Sequence, residues 1–359
     1  VYKDKTGNTP IVQAVKIAEQ QLLNDKVSKS YVGLLGSLSF VDQIIELTLG
    51  DSISKSRVTG AQAPGGTGAL HQLFLLIRAA RPTTTVWIST PTWPNHPAIL
   101  KHLGLSIQSY RYFDEITCSV DFNAMKEDLN HAKEGDVLLL HGCCHNPTGA
   151  NLNEKEWGEI TSICLEKNIT PLIDIAYQGF GDGLESDVQG VRSMASQMPN
   201  MMIAASCSKN FGVYRDRVGA AIVLAEENLM VKLAEDNLKS LNRLTFSFPP
   251  DHGAAVVELI LTNSDLKRKW CSELENMRKG MLDLRLRLSE SLRFTTKSDR
   301  FDFIAEHRGM FSRLGLTERN VQVLREEFGI YMVSDSRINI AGLQREKIDF
   351  LAASISDIL

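Results

Sequence analysis

The stretch Ser206-Cys207-Ser208-Lys209-Asn210-Phe211-Gly212 directly follows the apolar run Met202-Ile203-Ala204-Ala205, and this junction decides the fold. An apolar strand that runs into small polar residues is typical of the carboxyl edge of a parallel sheet, where α/β proteins gather ligands. A lone lysine is usually a solvated surface residue. A lysine behind a buried strand is instead desolvated, which lowers its pKa and makes it a usable nucleophile and base. Lys209 is therefore the first candidate functional residue.

Two further apolar runs end in polar residues in the same way. Residues 137–140 lead into His141-Gly142-Cys143-Cys144-His145-Asn146-Pro147-Thr148-Gly149, and residues 170–173 lead into Asp174-Ile175-Ala176-Tyr177. Three strands thus bring Asn, Asp, Tyr, Ser and Lys to one sheet edge. A buried carboxylate such as Asp174 is costly unless it meets a cation, and the pyridinium nitrogen of pyridoxal 5′-phosphate (PLP) is such a cation.

A phosphate group needs its own binding site, and Pro64-Gly65-Gly66-Thr67-Gly68 at the start of a predicted helix offers one. Backbone N–H groups and the helix dipole can bind an anion there. The loop lacks the Gly-Lys-Ser/Thr of a P-loop, and His71 occupies the third glycine position of a dinucleotide motif. Taken alone, such a loop is more often an ordinary helix start. Arg217 could complete a phosphate site as a fork-shaped cation.

Alternation of apolar runs and amphipathic stretches predicts an α/β fold with a mostly parallel sheet flanked by helices. The predicted strands cover residues 86–89, 106–112, 137–140, 170–173, 202–205 and 220–223. Helices are predicted over residues 68–80, 154–167 and 265–292. Beyond Phe294 the pattern changes to short strands at 301–304 and 309–312, a helix over 317–328, and a last stretch at 331–340. This region predicts a smaller α+β domain.

Composition excludes several classes of protein. The 359 residues are 43% hydrophobic and 23% charged, and the net charge of -4 gives no electrostatic case for nucleic acid or an anionic membrane surface. No apolar run is long enough to span a bilayer, so we expect a cytoplasmic protein whose six cysteines are reduced. Cys143 and Cys144 lie between two histidines, but there is no second Cys/His pair, so we expect no metal site.

Three motifs in the right order resemble the aspartate/aromatic aminotransferase family, the class I (fold-type I) PLP enzymes. They are Ser-x-Ser-Lys-Asn-Phe-Gly-x-Tyr-x-x-Arg-Val-Gly at 206–219, His-Asn-Pro-Thr-Gly at 145–149 and Asp-x-Ala-Tyr-Gln-Gly-Phe at 174–180. The resemblance covers essentially the whole chain. It implies a fold-type I architecture with a large PLP-binding domain over 11–276 and a small domain formed by 1–10 and 277–359.

The resemblance also assigns roles around the cofactor. Lys209 would carry PLP as a Schiff base and transfer the proton, Asp174 would pair with the pyridine nitrogen, and Tyr177 and Asn146 would hydrogen-bond the phenolic oxygen. Trp93 would stack on the ring. The remaining cofactor contacts would come from Gly65, Gly66, Thr67, Ser206, Ser208, Arg217 and, from the neighbouring subunit, Tyr31. His96 and His141 would either support Asp174 or be plain structural histidines, and the sequence favours neither interpretation.

For the substrate, the resemblance implies that Arg337 binds the α-carboxylate, with Trp93 and Asn146 beside it. Arg243 would come from the partner subunit of a homodimer and meet a second carboxylate. The implied reaction is ping-pong transfer of an amino group from aspartate or an aromatic amino acid (tyrosine or phenylalanine) to 2-oxoglutarate. The sequence does not separate these donors.

Two alternatives stay open. One is another fold-type I reaction, such as β-elimination or decarboxylation, which Arg243 argues against. The other is a PLP-binding regulator, which would carry a DNA-binding domain that we do not expect in this mildly acidic chain. Asp216 and Pro94 stand where the family more often has Glu. The resemblance also implies an N-terminal arm that crosses to the other subunit and a glycine segment beside the substrate, both of which would precede Val1.

Overall fold

The computed structural model describes residues 1–4 and 7–359. Its strands are β1 Val58–Pro64, β2 Thr85–Thr90, β3 Ser106–Arg111, β4 Phe113–Asp114, β5 Ser119–Val120, β6 Val137–His141, β7 Thr170–Ile175, β8 Met201–Ser206, β9 Val218–Leu224, β10 Phe311–Arg313 and β11 Arg337–Asn339. Seven of them form one sheet in the order β1-β9-β8-β7-β6-β2-β3, and β4–β5 and β10–β11 are separate pairs.

The large sheet is mainly parallel, as the sequence predicts. Strands β8, β7, β6, β2 and β3 run parallel to one another, whereas β9 is antiparallel to both of its neighbours, β8 and β1. All six predicted strands are present, with ends that differ by at most two residues. Strand β1 has no counterpart among the predicted strands, because Val58-Thr59-Gly60-Ala61-Gln62-Ala63-Pro64 is neither apolar throughout nor alternating.

Helices cover both faces of this sheet. They are α1 Gln13–Asp25, α2 Leu38–Leu49, α3 Gly65–Ala80, α4 Asn95–His102, α5 Phe122–Leu129, α6 Glu154–Lys167, α7 Gln189–Gln197, α8 Asn228–Thr245, α9 Asp251–Thr262, α10 Ser264–Thr296, α11 Phe303–Glu306, α12 Glu318–Phe328 and α13 Ile348–Asp357. Short 3₁₀ turns lie at Gly50–Ser52, Lys55–Arg57, Ser186–Val188, Ile340–Gly342 and Arg345–Lys347. Within the described part of the chain, none of the helices is long and apolar enough to cross a membrane.

Strand residues alternate between two apolar cores, one on each face of the sheet. In β8, Met201, Ile203 and Ala205 join the larger core, whereas Met202 and Ala204 join the smaller one, which α3 and α8 cover. This alternation is the period of two expected for a strand. Because both faces are buried, the strand ends offer the places where polar side chains can gather.

The region after α10 contains β10, β11 and the last three helices. The predicted strand at 301–304 is wrong, because the chain turns there and enters α11. Phe301 and Ile304 are both fully buried, and their spacing of three residues fits one helical turn, whereas a strand would bury alternate residues. The predicted strand at 309–312 shifts to β10. The proposed domain boundary between 276 and 277 lies inside α10, and residues 5 and 6 of the proposed small domain lie outside the described residues.

Candidate active site at the carboxyl edge of the sheet

Three parallel strands end side by side and carry the candidate residues. His141 at the end of β6 is paired with Asp174 in β7, and Asp174 is in turn paired with Ala204 in β8. Lys209 follows β8 after a turn, and Asn146 follows β6 by the loop that starts at Gly142. The predicted convergence of these side chains at one sheet edge is therefore found in the structure.

A cavity of about 240 Å³ lies at this edge. Its walls contain ten of the twelve residues proposed for the cofactor: Gly66, Thr67, Trp93, Asn146, Asp174, Tyr177, Ser206, Ser208, Lys209 and Arg217. The other lining residues are Leu70, His141, Cys143, Ala176 and Tyr214. Most of the lining side chains are polar or charged, which is the composition expected of a site for a polar ligand.

Lys209 is a partly buried amine inside this cavity. Its Nζ lies 5.0 Å from the centre of the Tyr177 ring. Burial lowers the pKa of Lys209, Asp174 opposes this by raising it, and Arg217 lowers it again. A lysine with a lowered pKa has a larger neutral fraction at pH 7, and the neutral amine is the form that attacks carbonyl groups.

Asp174 is buried but ionised. Its Oδ2 accepts a hydrogen bond of 2.9 Å from His96 Nε2. Burial acts to raise the pKa of Asp174, but the hydrogen bond from His96 and the electrostatic effects of His96, His141 and Lys209 outweigh burial and lower it. The structure thus places a carboxylate in a poorly hydrated site, where it can pair with a cation.

The hydrogen bonds behind Asp174 run in one direction. Asn146 N donates to His141 Nδ1 at 3.3 Å, so a neutral His141 carries its proton on Nε2 and donates to Thr92 Oγ1, also at 3.3 Å. The Thr92 hydroxyl then donates to His96 Nδ1 at 2.8 Å, which leaves His96 Nε2–H for Asp174. Burial lowers the pKa of His141 to about 3, with His96 adding to the shift, and this agrees with a neutral ring. His96 therefore contacts Asp174 directly, and His141 is linked to Asp174 through Thr92 and His96.

An anion site forms where α3 begins, opposite β8. A Cβ at Gly66 would lie 2.9 Å from Ser206 Cβ, and a Cβ at Gly65 would lie 2.5 Å from Arg217 Nη2. Gly65 also has a φ of +74°, which favours glycine. Arg217 is held by hydrogen bonds from Nη1 to Tyr214 O (2.9 Å) and Ser208 Oγ (3.4 Å). The free N–H groups of the helix start and this guanidinium together suit a phosphate.

Arg337 in β11 does not line this cavity itself but contacts Asn146 in its wall. Its Nη1 donates to Asn146 Oδ1 at 3.3 Å, and its Cζ lies 5.2 Å from the centre of the Phe311 ring. Phe311 in turn packs edge-on against Tyr177, with ring centres 6.4 Å apart. A guanidinium that is stacked on one side keeps its other donors for a carboxylate.

Two proposed site residues lie elsewhere on the same chain. Tyr31 is 84% exposed and stacks on Phe248 with ring centres 4.7 Å apart, and Arg243 is exposed on the last turn of α8. Neither lines the cavity. Gly65 lies just outside the walls, against Arg217.

Several residues at the site were missed in the sequence analysis. Tyr214 lies within the quoted lysine motif and could have been found there, and Cys143 lies two residues after the end of β6. Phe311 gives no comparable signal, because it belongs to a three-residue strand far along the chain.

One group of possible metal ligands lies close together among the described residues. The ligand atoms of Cys143, Cys144 and Asp187 are within 4.8 Å of one another. Asp187 already accepts hydrogen bonds from the backbone N–H groups of Gly179, Gly181 and Asp182.

Comparison with known proteins identifies the family. The sequence model of the family described as aminotransferase class I and II matches residues 1–355. The chain belongs to this family. An aromatic-amino-acid aminotransferase of Paracoccus denitrificans is 53% identical over 358 residues, covering 100% of this chain and 91% of that protein. The aspartate aminotransferase of Escherichia coli strain K12 is 40% identical over 362 residues, with the same coverage of both chains.

A solved structure extends the match to the cofactor. The aromatic-amino-acid aminotransferase from Burkholderia pseudomallei, described as covalently bound to pyridoxal phosphate, superposes with a TM-score of 0.97 at 37% identity, covering 100% of this chain and 91% of that chain. Class I and II aminotransferases are PLP-dependent enzymes, and PLP is the cofactor of this aminotransferase. The residues present fit it, because Gly66 at the start of α3, the partly buried amine of Lys209 and the buried carboxylate of Asp174 border one cavity.

Proposed function

We propose that this aminotransferase transfers the amino group of aspartate or an aromatic amino acid, such as tyrosine or phenylalanine, to 2-oxoglutarate. The products are the corresponding keto acid and glutamate. The reaction follows a ping-pong order, in which the first keto acid leaves before 2-oxoglutarate binds. The full-length similarity to aromatic-amino-acid and aspartate aminotransferases supports this choice of substrates.

One observation carries the proposal. Lys209, with its lowered pKa, and the ionised Asp174 border the same cavity, and Arg337 reaches that cavity through its hydrogen bond to Asn146. The amine of Lys209 can react with a carbonyl group, and the carboxylate of Asp174 can pair with a positively charged ring. The guanidinium of Arg337 can bind the carboxylate of an amino acid. This combination favours transamination over binding alone.

We assign the cofactor contacts residue by residue. Lys209 would form the covalent link, Asp174 would pair with the pyridine nitrogen, and Trp93 would stack on the ring. Tyr177 and Asn146 would donate to the phenolic oxygen. The phosphate would be held by Gly65, Gly66, Thr67, Ser206, Ser208 and Arg217.

When bound, PLP withdraws electrons from the α-carbon of the amino acid and so makes its proton acidic. The chain itself has to hold the substrate and move that proton. Arg337 binds the α-carboxylate and so fixes the orientation of the α-carbon. The Lys209 amine would take up the α-proton as general base and give it back as general acid. Tyr177 holds its phenolic proton in this process, because burial and Asp174 both raise the pKa of Tyr177.

We further propose a homodimer in which each subunit completes the site of the other. Tyr31 is 84% exposed and stacks on Phe248, and Leu244, next to Arg243 in the sequence, is 79% exposed. Exposed apolar patches mark contact surfaces. In the dimer, Tyr31 would reach the partner's phosphate and Arg243 would meet the distal carboxylate of a dicarboxylic substrate.

The domain division is also proposed, with residues 11–276 forming the large domain and residues 1–10 and 277–359 the small one. We propose the cytoplasm as its location, in keeping with six free cysteines.

A donor panel tests the substrate proposal. The PLP-loaded protein is given 2-oxoglutarate with aspartate, tyrosine, phenylalanine or lysine, and glutamate formation is measured. We expect glutamate with the first three donors and only background with lysine. Release of ammonia or carbon dioxide without glutamate would instead indicate a lyase.

A further inference from the structure

Arg285 is a fully buried cation in α10, outside the cavity walls. Its Nη1 donates to Ile304 O (3.1 Å) and Ser312 Oγ (2.7 Å), and its Nη2 donates to Gly309 O (2.8 Å) and Phe311 O (2.7 Å). All four partners are neutral oxygen atoms. Arg285 is thus a charge buried without a carboxylate among its hydrogen-bond acceptors, which is costly for the folded state.

The charge survives at neutral pH. Burial lowers the pKa of Arg285 to about 9, Cys144 acts to raise it, and Arg308 lowers it. A guanidinium that donates to four acceptors fixes their relative positions more strongly than a single hydrogen bond could. The position of these acceptors in the chain therefore decides which segment Arg285 holds in place.

Three of the four acceptors belong to the segment that carries Phe311. This ring lies between Tyr177, 6.4 Å away, and Arg337, whose Cζ is 5.2 Å from its centre. Strand β10 also pairs with β11, so that Ser312 lies opposite Ile338, next to Arg337. By fixing the carbonyl groups of Gly309 and Phe311, Arg285 fixes the surface on which Arg337 rests.

The hydrogen bonds continue from Arg285 to β4 and β5. Cys118 O can only accept, so a neutral His307 carries its proton on Nε2 and accepts at Nδ1 from the Ser312 hydroxyl, 3.0 Å away, whose oxygen accepts from Arg285. The His307 Nε2–H donates to Cys118 O at 2.9 Å. Burial lowers the pKa of His307 to about 4, with Arg285 adding to the shift, and this agrees with a neutral ring. Cys118 precedes β5, so one directed chain ties β10 to the region around β4 and β5.

A second connection leads to the same arginine. A Cβ at Gly309 would lie 2.4 Å from Cys144 Cβ, so the loop that Arg285 holds packs directly against the segment before Asn146. The Arg308 N–H also donates to Gly149 O at 2.9 Å, behind Asn146. Asn146 is the acceptor of Arg337. Both neighbours of Arg337, the Phe311 ring and the Asn146 amide, thus depend on the loop that Arg285 holds.

We propose that Arg285 is a positioning residue for substrate binding, which holds Phe311 and Asn146 so that Arg337 is oriented toward the substrate carboxylate. The proposal rests on the proposed function, because it concerns the carboxylate-binding role of Arg337. Arg285 itself touches neither substrate nor cofactor.

Binding of a non-reacting carboxylate tests the proposal without catalysis. The probe is 3-phenylpropanoate, which has a carboxylate and a ring but no amino group, titrated calorimetrically into the PLP-loaded protein. The variants are Arg285→Lys, which keeps the charge but loses the planar fork, and Ser312→Ala, which removes one acceptor and the link to His307. The control is Arg293→Ala on the same helix, an exposed arginine that pairs with Asp302.

We expect Arg285→Lys to raise the Kd of the probe about ten-fold, and Ser312→Ala about three-fold, since small displacements of a binding group cost much of its affinity. The KM for amino donors should rise in parallel, while kcat changes by less than about three-fold and Arg293→Ala behaves like the wild type. Equal probe affinity in the wild type and in folded Arg285→Lys or Ser312→Ala, with only a lower unfolding temperature, would overturn the proposal. If Arg285→Lys does not fold, Ser312→Ala alone decides.

The outcome also separates this inference from the proposed function. A wild-type protein that transaminates, with KM unchanged in the folded variants, contradicts only the role of Arg285. A wild-type protein that binds the probe, loses affinity in the variants and forms no glutamate contradicts only the proposed reaction.

Discussion

His96 donates its Nε2–H to Asp174 Oδ2 across 2.9 Å, and this contact keeps a buried carboxyl group ionised. Burial by itself acts to raise the pKa of Asp174, and the hydrogen bond from His96, with the electrostatic effects of His96, His141 and Lys209, reverses the direction. The orientation of His96 is set in turn by Thr92 and His141. This geometry gives His96 a role beyond packing, which is to keep Asp174 ionised for the cofactor.

Replacing His96 with Phe should weaken PLP binding. The variant leaves Asp174 buried without its donor, which costs about 1.5–3 kcal/mol for a hydrogen bond to a charged group and corresponds to at least a ten-fold higher Kd for PLP. Equilibrium dialysis against PLP measures this. His96→Gln, which can still donate to Asp174, should recover part of the affinity, and His102→Ala on the same helix should have no effect. Equal affinity in His96→Phe and the wild type would show that the histidine is only structural.

The glycine at the start of α3 gives a second prediction. In Gly66→Ala the new methyl group meets Ser206 Cβ at 2.9 Å, so the backbone at the anion site has to shift and PLP affinity should fall about ten-fold or more. Gly158 in the middle of α6 is the matched control, because a Cβ added there would meet nothing within 4 Å. Gly158→Ala should leave PLP binding unchanged and raise the free energy of unfolding by up to about 1 kcal/mol. Unchanged PLP affinity in Gly66→Ala would remove the glycine loop from the phosphate site.

Mixing two inactive variants tests the shared site. Arg243→Ala retains Lys209 and Lys209→Ala retains Arg243, so a hybrid dimer has one site with both residues and one with neither. Random exchange of subunits should therefore restore about a quarter of the wild-type sites for aspartate. Activity is measured before and after the variants are unfolded and refolded together. No recovery in hybrid dimers isolated by two different affinity tags would contradict sharing of Arg243 between subunits.

Acid stability should depend on His307. The pKa of this buried histidine is lowered to about 4, against 6.5 for an ordinary histidine, so the unfolded chain binds a proton there that the folded chain does not. Stability from the neutral ring is fully present above pH 6.5 and falls as the pH drops toward 4, by about 1.4 kcal/mol per pH unit. Urea unfolding from pH 7 to pH 5 should show a shallower pH dependence for His307→Gln than for the wild type. Equal slopes would mean that His307 is protonated in the folded protein.

The sequence predicts the centre of the site better than its edges. Lys209, Asp174 and Asn146 each follow an apolar strand, and parallel strands bring their carboxyl ends to one edge, so three local patterns suffice to place them together. Arg337 was found through resemblance to a family, since its short strand has no apolar pattern of its own.

Phe311 and Arg285 show what local patterns miss. Phe311 is placed by pairing between β10 and β11, and Arg285 by acceptors on a loop about twenty residues further along, which no periodicity reveals. Arg285 also lies in a helix rich in charged residues, where an arginine is expected to face solvent. The segment at 301–304 was misassigned because its aromatic residues favour strands by propensity, while burial at a spacing of three selects a helical turn.

A single turnover tests the central claim most directly. PLP-loaded wild-type protein and Lys209→Ala are each given aspartate or phenylalanine without any keto acid, and the keto acid formed is measured, with Lys155→Ala as a surface control. We expect about one keto acid per active site from the wild type and from Lys155→Ala, and none on the same timescale from Lys209→Ala. Keto acid formation at the full rate in Lys209→Ala, or none from either donor in the PLP-loaded wild type, would contradict the account.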